Sequence, residues 1–353
     1  MKNRIATLSA LGLAIFFANC SDNNNDPITY DPNTVLYTAV LTDLSRDVIT
    51  DTYETLNTNA IALKAAADAF TIGNDAQLAA LKTAWQATRA PWEQSEGFLY
   101  GPVDTGGIDP AMDTWPVDVN AMNNILGSGD PITPATLEAN NETRGFHLIE
   151  YLAWGINGNK TAADFTAREV ELLRAAAEDL QNNTQLLYDG WKTDSGNYGS
   201  NFINAGQSGS VYVSQKVALE EIVNGIIGIA DEVATGKIQA PLDEGATVEE
   251  SRFSNNSKID FANNMRSIQN VYEGNFGGSD RAGLTNIVKL TNPTLDAEIK
   301  AAIGDAINAI EAIPGTFTQA LTDNEAAVIN AQEKVAALQL KLQNQLLPFI
   351  SNN

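Results

Sequence analysis

Apolar side chains return every three or four positions from Val35 almost to the end of the chain, and no stretch shows the period of two that a half-buried strand needs. That pattern alone restricts the fold to packed helices. Val35 to about Ile72 reads as one long amphipathic helix through Tyr37, Val40, Leu41, Leu44 and Val48. A second begins near Asp75 and sets Leu78, Leu81, Trp85, Arg89, Trp92 and Glu96 on one face, with Pro91 as the expected point of bending. A third is expected from about Pro134 to Trp154, ending at Gly155. Thr161-x-x-Asp164 reads as the cap of a fourth, striped by Val170, Leu173, Ala177, Leu180, Leu187 and Trp191. Further stripes start at Val211, near Thr247, at Gly283 and at Thr294, and a last one is capped by Thr322-x-x-Glu325.

The interruptions divide the chain. Residues 97–133 form a Gly-, Pro- and Asp-rich connection, long enough to be either functional or disordered, and Met112 and Trp115 are apolar anchors that argue for order. The Gly/Ser/Asn-rich stretch Ser195–Ser210 is the natural boundary between an N-terminal helical bundle, 34–200, and a C-terminal one, 201–353. Each is of the size, about 150 residues, that buries a full core. The expected fold class is therefore all-α, two bundles with a long ordered loop between the second and third helices.

Lys2 and Arg4 precede an apolar run, Ile5 to Ala18, that is too short to span a bilayer and reads as a signal peptide, 1–19. It ends at Cys20, the only cysteine, in Phe17-Ala18-Asn19-Cys20, an imperfect lipobox. Acylation of Cys20 is the expectation, with 20–33 as a polar tether. The expected product is an exported lipoprotein of the outer membrane, on its periplasmic or cell-surface face, with the membrane as partner through the lipid. No thiol then remains for a zinc finger, an iron–sulfur cluster or a Cys nucleophile. With 21 basic against 44 acidic residues the formal net charge is −23. Such a field attracts cations and repels nucleic acid, which is excluded as a partner.

The only histidine, His147, lies three residues before Glu150, so both share a helix face and can reach one cation. Gly145 permits close approach of another backbone or a ligand. Arg89, Glu93 and Glu96 lie on or beside a core-facing stripe with Trp92, and charges there must be paired or bound. Asp104 and Asp109 read as turn formers; Asp113 and Asp118 bracket Trp115-Pro116 and read as site candidates. One imidazole with two or three carboxylates suits a hard or borderline metal ion. A buried polar network that only fixes helix packing is the alternative.

Gly145-x-His147-x-x-Glu150, the segment Trp85 to Glu96 with Asp113 to Asp118, and the block Glu250-Ser251-Arg252-Phe253-Ser254 with Asn256 and Ser257 together resemble the imelysin family, which is grouped with the peptidases. The resemblance spans nearly all of the chain after the signal peptide. It implies two related helical bundles and a cleft site in which His147, Glu150, Glu96 and Glu93 hold a metal. Arg89, Gly145, Trp92, Trp115, Asp113, Asp118 and Ser254 would surround it. Some relatives are linked to iron regulation and uptake, so the resemblance puts a divalent or ferric ion first, iron before zinc or calcium. The residues themselves lack His-Glu-x-x-His, a second Glu/His pair for a di-iron centre and a Gly-x-Ser-x-Gly elbow. Binding of a metal or small ligand is thus the first reading. A structural network is second, and a metallopeptidase with Glu150 or Glu96 as ligand or base is third.

Overall fold

The first helix is as long as its stripe suggests. In the computed structural model, which describes residues 32–278 and 281–352, Pro32–Asp43, a π-helical stretch at Leu44–Thr50 and α1 (Asp51–Ala69) follow without a break. The expected signal peptide, Cys20 and nearly all of the tether lie outside the described residues. Asn74 caps α2 (Asp75–Glu93) by accepting from the Gln77 N–H, a bond of a kind that contributes about 1 kcal/mol. Pro91 falls in the last turn of α2, so the helix stops at Glu93, and Glu96 starts a separate 3-10 turn, Glu96–Phe98. The expected continuous face through Glu96 is corrected accordingly.

The connection that follows is ordered by three short helices, Pro102–Thr105, Ile108–Met112 and Val119–Gly127. Asp118 is spent as the cap of the third, accepting from the N–H groups of Asn120 and Ala121, and takes no part in the site. The motif helix, α3, is shorter than expected, Gly145–Trp154; residues from Pro134 form a separate turn of helix, Pro134–Glu138, and a 3-10 turn. The reason is local. Arg144 is extended and pairs with Asp179 through Nε and Nη2 at 2.9 and 2.6 Å, which breaks the helix before Gly145. Likewise Thr161 and Asp164 close only a 3-10 turn, and the box Thr166/Glu169 caps α4 (Ala167–Trp191).

Ser214 caps α5 (Gln215–Glu232), which runs on into a π-helical turn, Val233–Lys237. The Glu250–Asn256 block is a tight turn and not part of a helix; Ser251 and Asn255 adopt left-handed backbone conformations there, and α6 (Ser257–Glu273) begins after it. α6 ends at Gly274, before the Gly277-Gly278 pair. Asn292 caps α7 (Pro293–Glu311). The Thr322/Glu325 box does not form, because the Thr322 hydroxyl donates back to the Gln319 carbonyl and Thr316/Gln319 cap a short helix, Phe317–Asp323, before α8 (Glu325–Lys341).

No strand occurs among the described residues, and the fold is a helical bundle. α1 packs between α2 and α4, and α3 lies across α2 and α4; α7 packs against α6 and α8, and α5 against α6 and α8. The two sets meet where α2 crosses α6 and the Glu96–Phe98 turn rests on α5. The charged end of α2 is therefore buried at a seam that chain segments far apart in sequence share.

Candidate metal centre

Gly145 sets the register of the site. Its φ of 77° is left-handed, and a Cβ there would lie 2.1 Å from the Met112 carbonyl oxygen. Only glycine lets α3 press against the end of the Ile108–Met112 helix. Asp113, the next residue, is thereby placed beside His147.

His147 is fully buried, and its two ring nitrogens face different partners. Nδ1 lies 2.9 Å from Glu150 Oε2; Nε2 lies 3.2 Å from Asp113 Oδ1 and 3.6 Å from Glu250 Oε1. Glu150 Oε1 accepts from the Ser254 N–H at 2.8 Å and the Ser254 hydroxyl at 2.7 Å. Both Glu150 oxygens are thus occupied, and Glu150 orients the imidazole from behind. The Trp115 ring lies against the imidazole, centroids 4.8 Å apart.

Arg89 is the hub. Its guanidinium pairs with Asp113, with Glu93 and Glu250 at 2.5 Å each, and approaches Asp260 at 3.6 Å. Trp92 Nε1 donates to Asp113 Oδ2 at 2.6 Å. On the far side Lys237 reaches Glu96 at 2.9 Å, Glu250 at 3.2 Å and Glu93 at 3.7 Å. Asn264 from α6 donates to Glu93 Oε2 at 2.6 Å and Glu96 Oε2 at 2.9 Å.

Sequence reasoning brought forward His147, Glu150, Glu93, Glu96, Arg89, Gly145, Trp92, Trp115, Asp113 and Ser254, and the structure gathers all of them here; Asp118 stands apart. Glu150, expected among the ligands, faces His147 Nδ1 and Ser254. Glu250, Asp260, Lys237 and Asn264 were missed. Glu250 opens the same quoted block as Ser254, which was a usable signal; Lys237 and Asn264 carried none.

Six carboxylates, Glu93, Glu96, Asp113, Glu150, Glu250 and Asp260, meet two permanent cations and one imidazole. Burial pushes the less compensated acids up, Glu93 to about 8, Asp260 to about 6 and Glu96 well above the carboxylate range, the last with Glu93 as its neighbour. Burial also acts on Asp113, yet Arg89 and His147 hold it well below its ordinary value. Against the same burial, Lys237, His147 and Arg89 bring Glu250 down to about 2. Burial and Arg89 oppose a charge on His147, but Asp113, Glu150 and Glu250 prevail and hold it well above the usual imidazole value.

Two overlapping triads have ligand atoms within 4.8 Å of one another: Asp113, His147 and Glu250, and Glu93, Glu96 and Asp113. The excess of acid and this hard oxygen set with one imidazole fit a metal cation. A cavity of about 390 Å³ opens onto the cluster and is lined by Glu96, Asp113, Glu250 and Lys237 together with Asp109, Glu232 and Trp115.

The imelysin family model matches residues 49–347. A Synechococcus elongatus protein named iron-regulated protein A is 32% identical over 284 residues, 78% of this chain and 76% of that protein. The crystal structure of a Parabacteroides distasonis protein assigned as an iron-regulated protein A precursor matches with a TM-score of 0.80 and 29% identity, over 92% of this chain and 96% of that one. An imelysin-like protein from Psychrobacter arcticum, 14% identical, shares the fold with a TM-score of 0.73 over 91% of this chain and 97% of its own.

Proposed function

The chain belongs to the imelysin family, and from that premise we propose that it binds a metal ion, iron first and zinc or calcium second, at the buried cluster, as a lipid-anchored protein of iron handling. The observation that carries this reading is the surplus of buried carboxylate around Asp113, which both ligand triads share. Asp113, Glu250 and His147 Nε2, the single nitrogen donor, would hold the ion, with Glu93 and Glu96 forming the second triad about Asp113 and with Glu150 and Ser254 fixing the imidazole. Bound there, a cation would supply positive charge among the excess acids and redox or Lewis-acid chemistry beside the cavity that Asp113 and Glu250 line. The apolar run ending at Cys20 supports anchoring at the outer membrane through acylation.

The test is elemental analysis and titration calorimetry on the purified protein, with His147→Ala and Asp113→Asn alongside. One ion per chain in the parent, weakened at least about tenfold in each variant while helical content holds, is the expected result. No ion in any of the three sinks the proposal and leaves a network that fixes the seam between helices. Chelator-sensitive cleavage of a peptide library by the loaded protein would turn the reading to a metallopeptidase using the same residues.

A further inference from the structure

The two permanent cations of the cluster are held in different ways. Arg89 is fully buried, is pinned among Glu93, Asp113, Glu250 and Asp260, and lies 5.1 Å from the Phe146 ring centre, so it has nowhere to move. Lys237 ends the π-helical turn Val233–Lys237, and its side chain forms part of the cavity wall. Such turns recur at functional positions because they displace one residue from the helix register. Its ammonium sits among Glu96, Glu250 and Glu93, where a metal ion would meet the same oxygens. With Arg89 fixed on one side of these carboxylates, an ammonium and a metal ion compete for the oxygen positions that remain, and holding both would add like-charge repulsion in a poorly screened place. Along the cavity Glu232 stands 3.9 Å from the same nitrogen, with a side chain 56% exposed.

We propose that Lys237 is the resident counter-cation of the cluster and yields its place to an incoming metal ion, its ammonium swinging on its flexible stem into the cavity beside Glu232. This rests on the metal-binding reading above. It makes Lys237 the residue that sets affinity: its ammonium offsets part of the surplus acid, and only a cation that outcompetes it enters.

Two measurements test it. Lys237→Met keeps the length and removes the charge, and zinc and ferrous iron should bind this variant at least about tenfold more tightly than the parent. In the parent, acetylation by an amine-reactive reagent, read by peptide mass spectrometry, should be slow at Lys237 without metal and severalfold faster with zinc bound. Equal or weaker binding by Lys237→Met, or an unchanged labelling rate in zinc-loaded parent, overturns the displacement while leaving the metal site standing. Uptake of no ion by parent or variant fails the metal reading itself, and the displacement with it.

Discussion

Glu150 and Ser254, 104 positions apart, meet through two hydrogen bonds, the Ser254 N–H and its hydroxyl both donating to the same carboxylate oxygen, Oε1. The other oxygen takes His147 Nδ1. The turn after Glu250 therefore fixes which edge of the imidazole faces the carboxylates. Ser254→Ala removes one of the two donors and keeps the backbone one. A loss of about 1–2 kcal/mol in urea denaturation is expected, with any metal affinity weakened by a smaller factor than His147→Ala causes.

Gly145→Ala forces a Cβ to within 2.1 Å of the Met112 carbonyl and adds left-handed strain. Destabilisation of about 2–4 kcal/mol is expected. A variant as stable as the parent in chemical denaturation would show that the approach of α3 to Asp113 tolerates a shift.

Arg89→Met leaves four acids without their shared cation, and loss of one partner from a buried ionic group costs about 3–5 kcal/mol. The variant should recover part of this as pH is lowered, because protonated acids need no counter-charge. Thermal denaturation at two pH values checks it; a deficit that grows in acid contradicts it.

Burial pushes Glu93 up to about 8 and Asp260 and Asp109 to about 6, from unperturbed values of 4.5, 3.8 and 3.8. Between those limits the folded chain binds more protons than the unfolded one, so stability falls as pH rises. His147, raised above its ordinary value, acts in the same direction. Asp113 and Glu250 are depressed and act oppositely, withdrawing their contribution only in acid. The urea midpoint should therefore decline from about pH 4.5 to about pH 8. A midpoint that climbs steadily over this range refutes the assignment.

A metal ion entering the cluster must displace protons from Glu93 and His147, so its affinity should rise with pH, and the heat of binding should vary with the ionisation enthalpy of the buffer. Saturation at one hundred times Kd should raise stability by about 2.7 kcal/mol. Identical heats in two buffers of different ionisation enthalpy would contradict proton release.

The stripe of α2 was legible because tryptophans and leucines flank Arg89 and Glu93 at helical spacing. α6 was legible only in part: Phe261, Met265, Ile268 and Tyr272 are buried as helical spacing predicts, but the helix starts at Ser257 and not near Thr247. Its apolar pattern includes Ile259, which is 52% exposed, while Asp260, Asn264 and Ser267 are buried. Periodicity reads hydrophobicity and so overlooks a buried polar stripe. That stripe is stable only because its partners arrive from elsewhere: Asn264 meets Glu93 and Glu96, and Ser267 accepts from the Gly97 N–H, 170 positions away. Lys237 was hidden likewise, as a lysine at the end of a helix is ordinarily a solvated side chain. The caps erred in a narrower way. Thr161, Thr166 and Thr322 each sit three residues before an acid, yet the first box closes only a 3-10 turn, the second caps a long helix and the third does not form.

The seam where α2 crosses α6 has a consequence for folding. Arg89, Glu93 and Glu96 come from one side of it, Lys237, Glu250, Asp260 and Asn264 from the other. If the two sets of helices were formed but not yet joined, each would expose apolar surface together with charges that keep only some of their partners, Arg89 with Glu93 and Asp113 on one side and Lys237 with Glu250 on the other. Partial closure would strand those charges away from both water and their counterparts, which is worse than either extreme. Complete docking is thereby favoured over partial docking, and the cluster ties the order of one set of helices to that of the other.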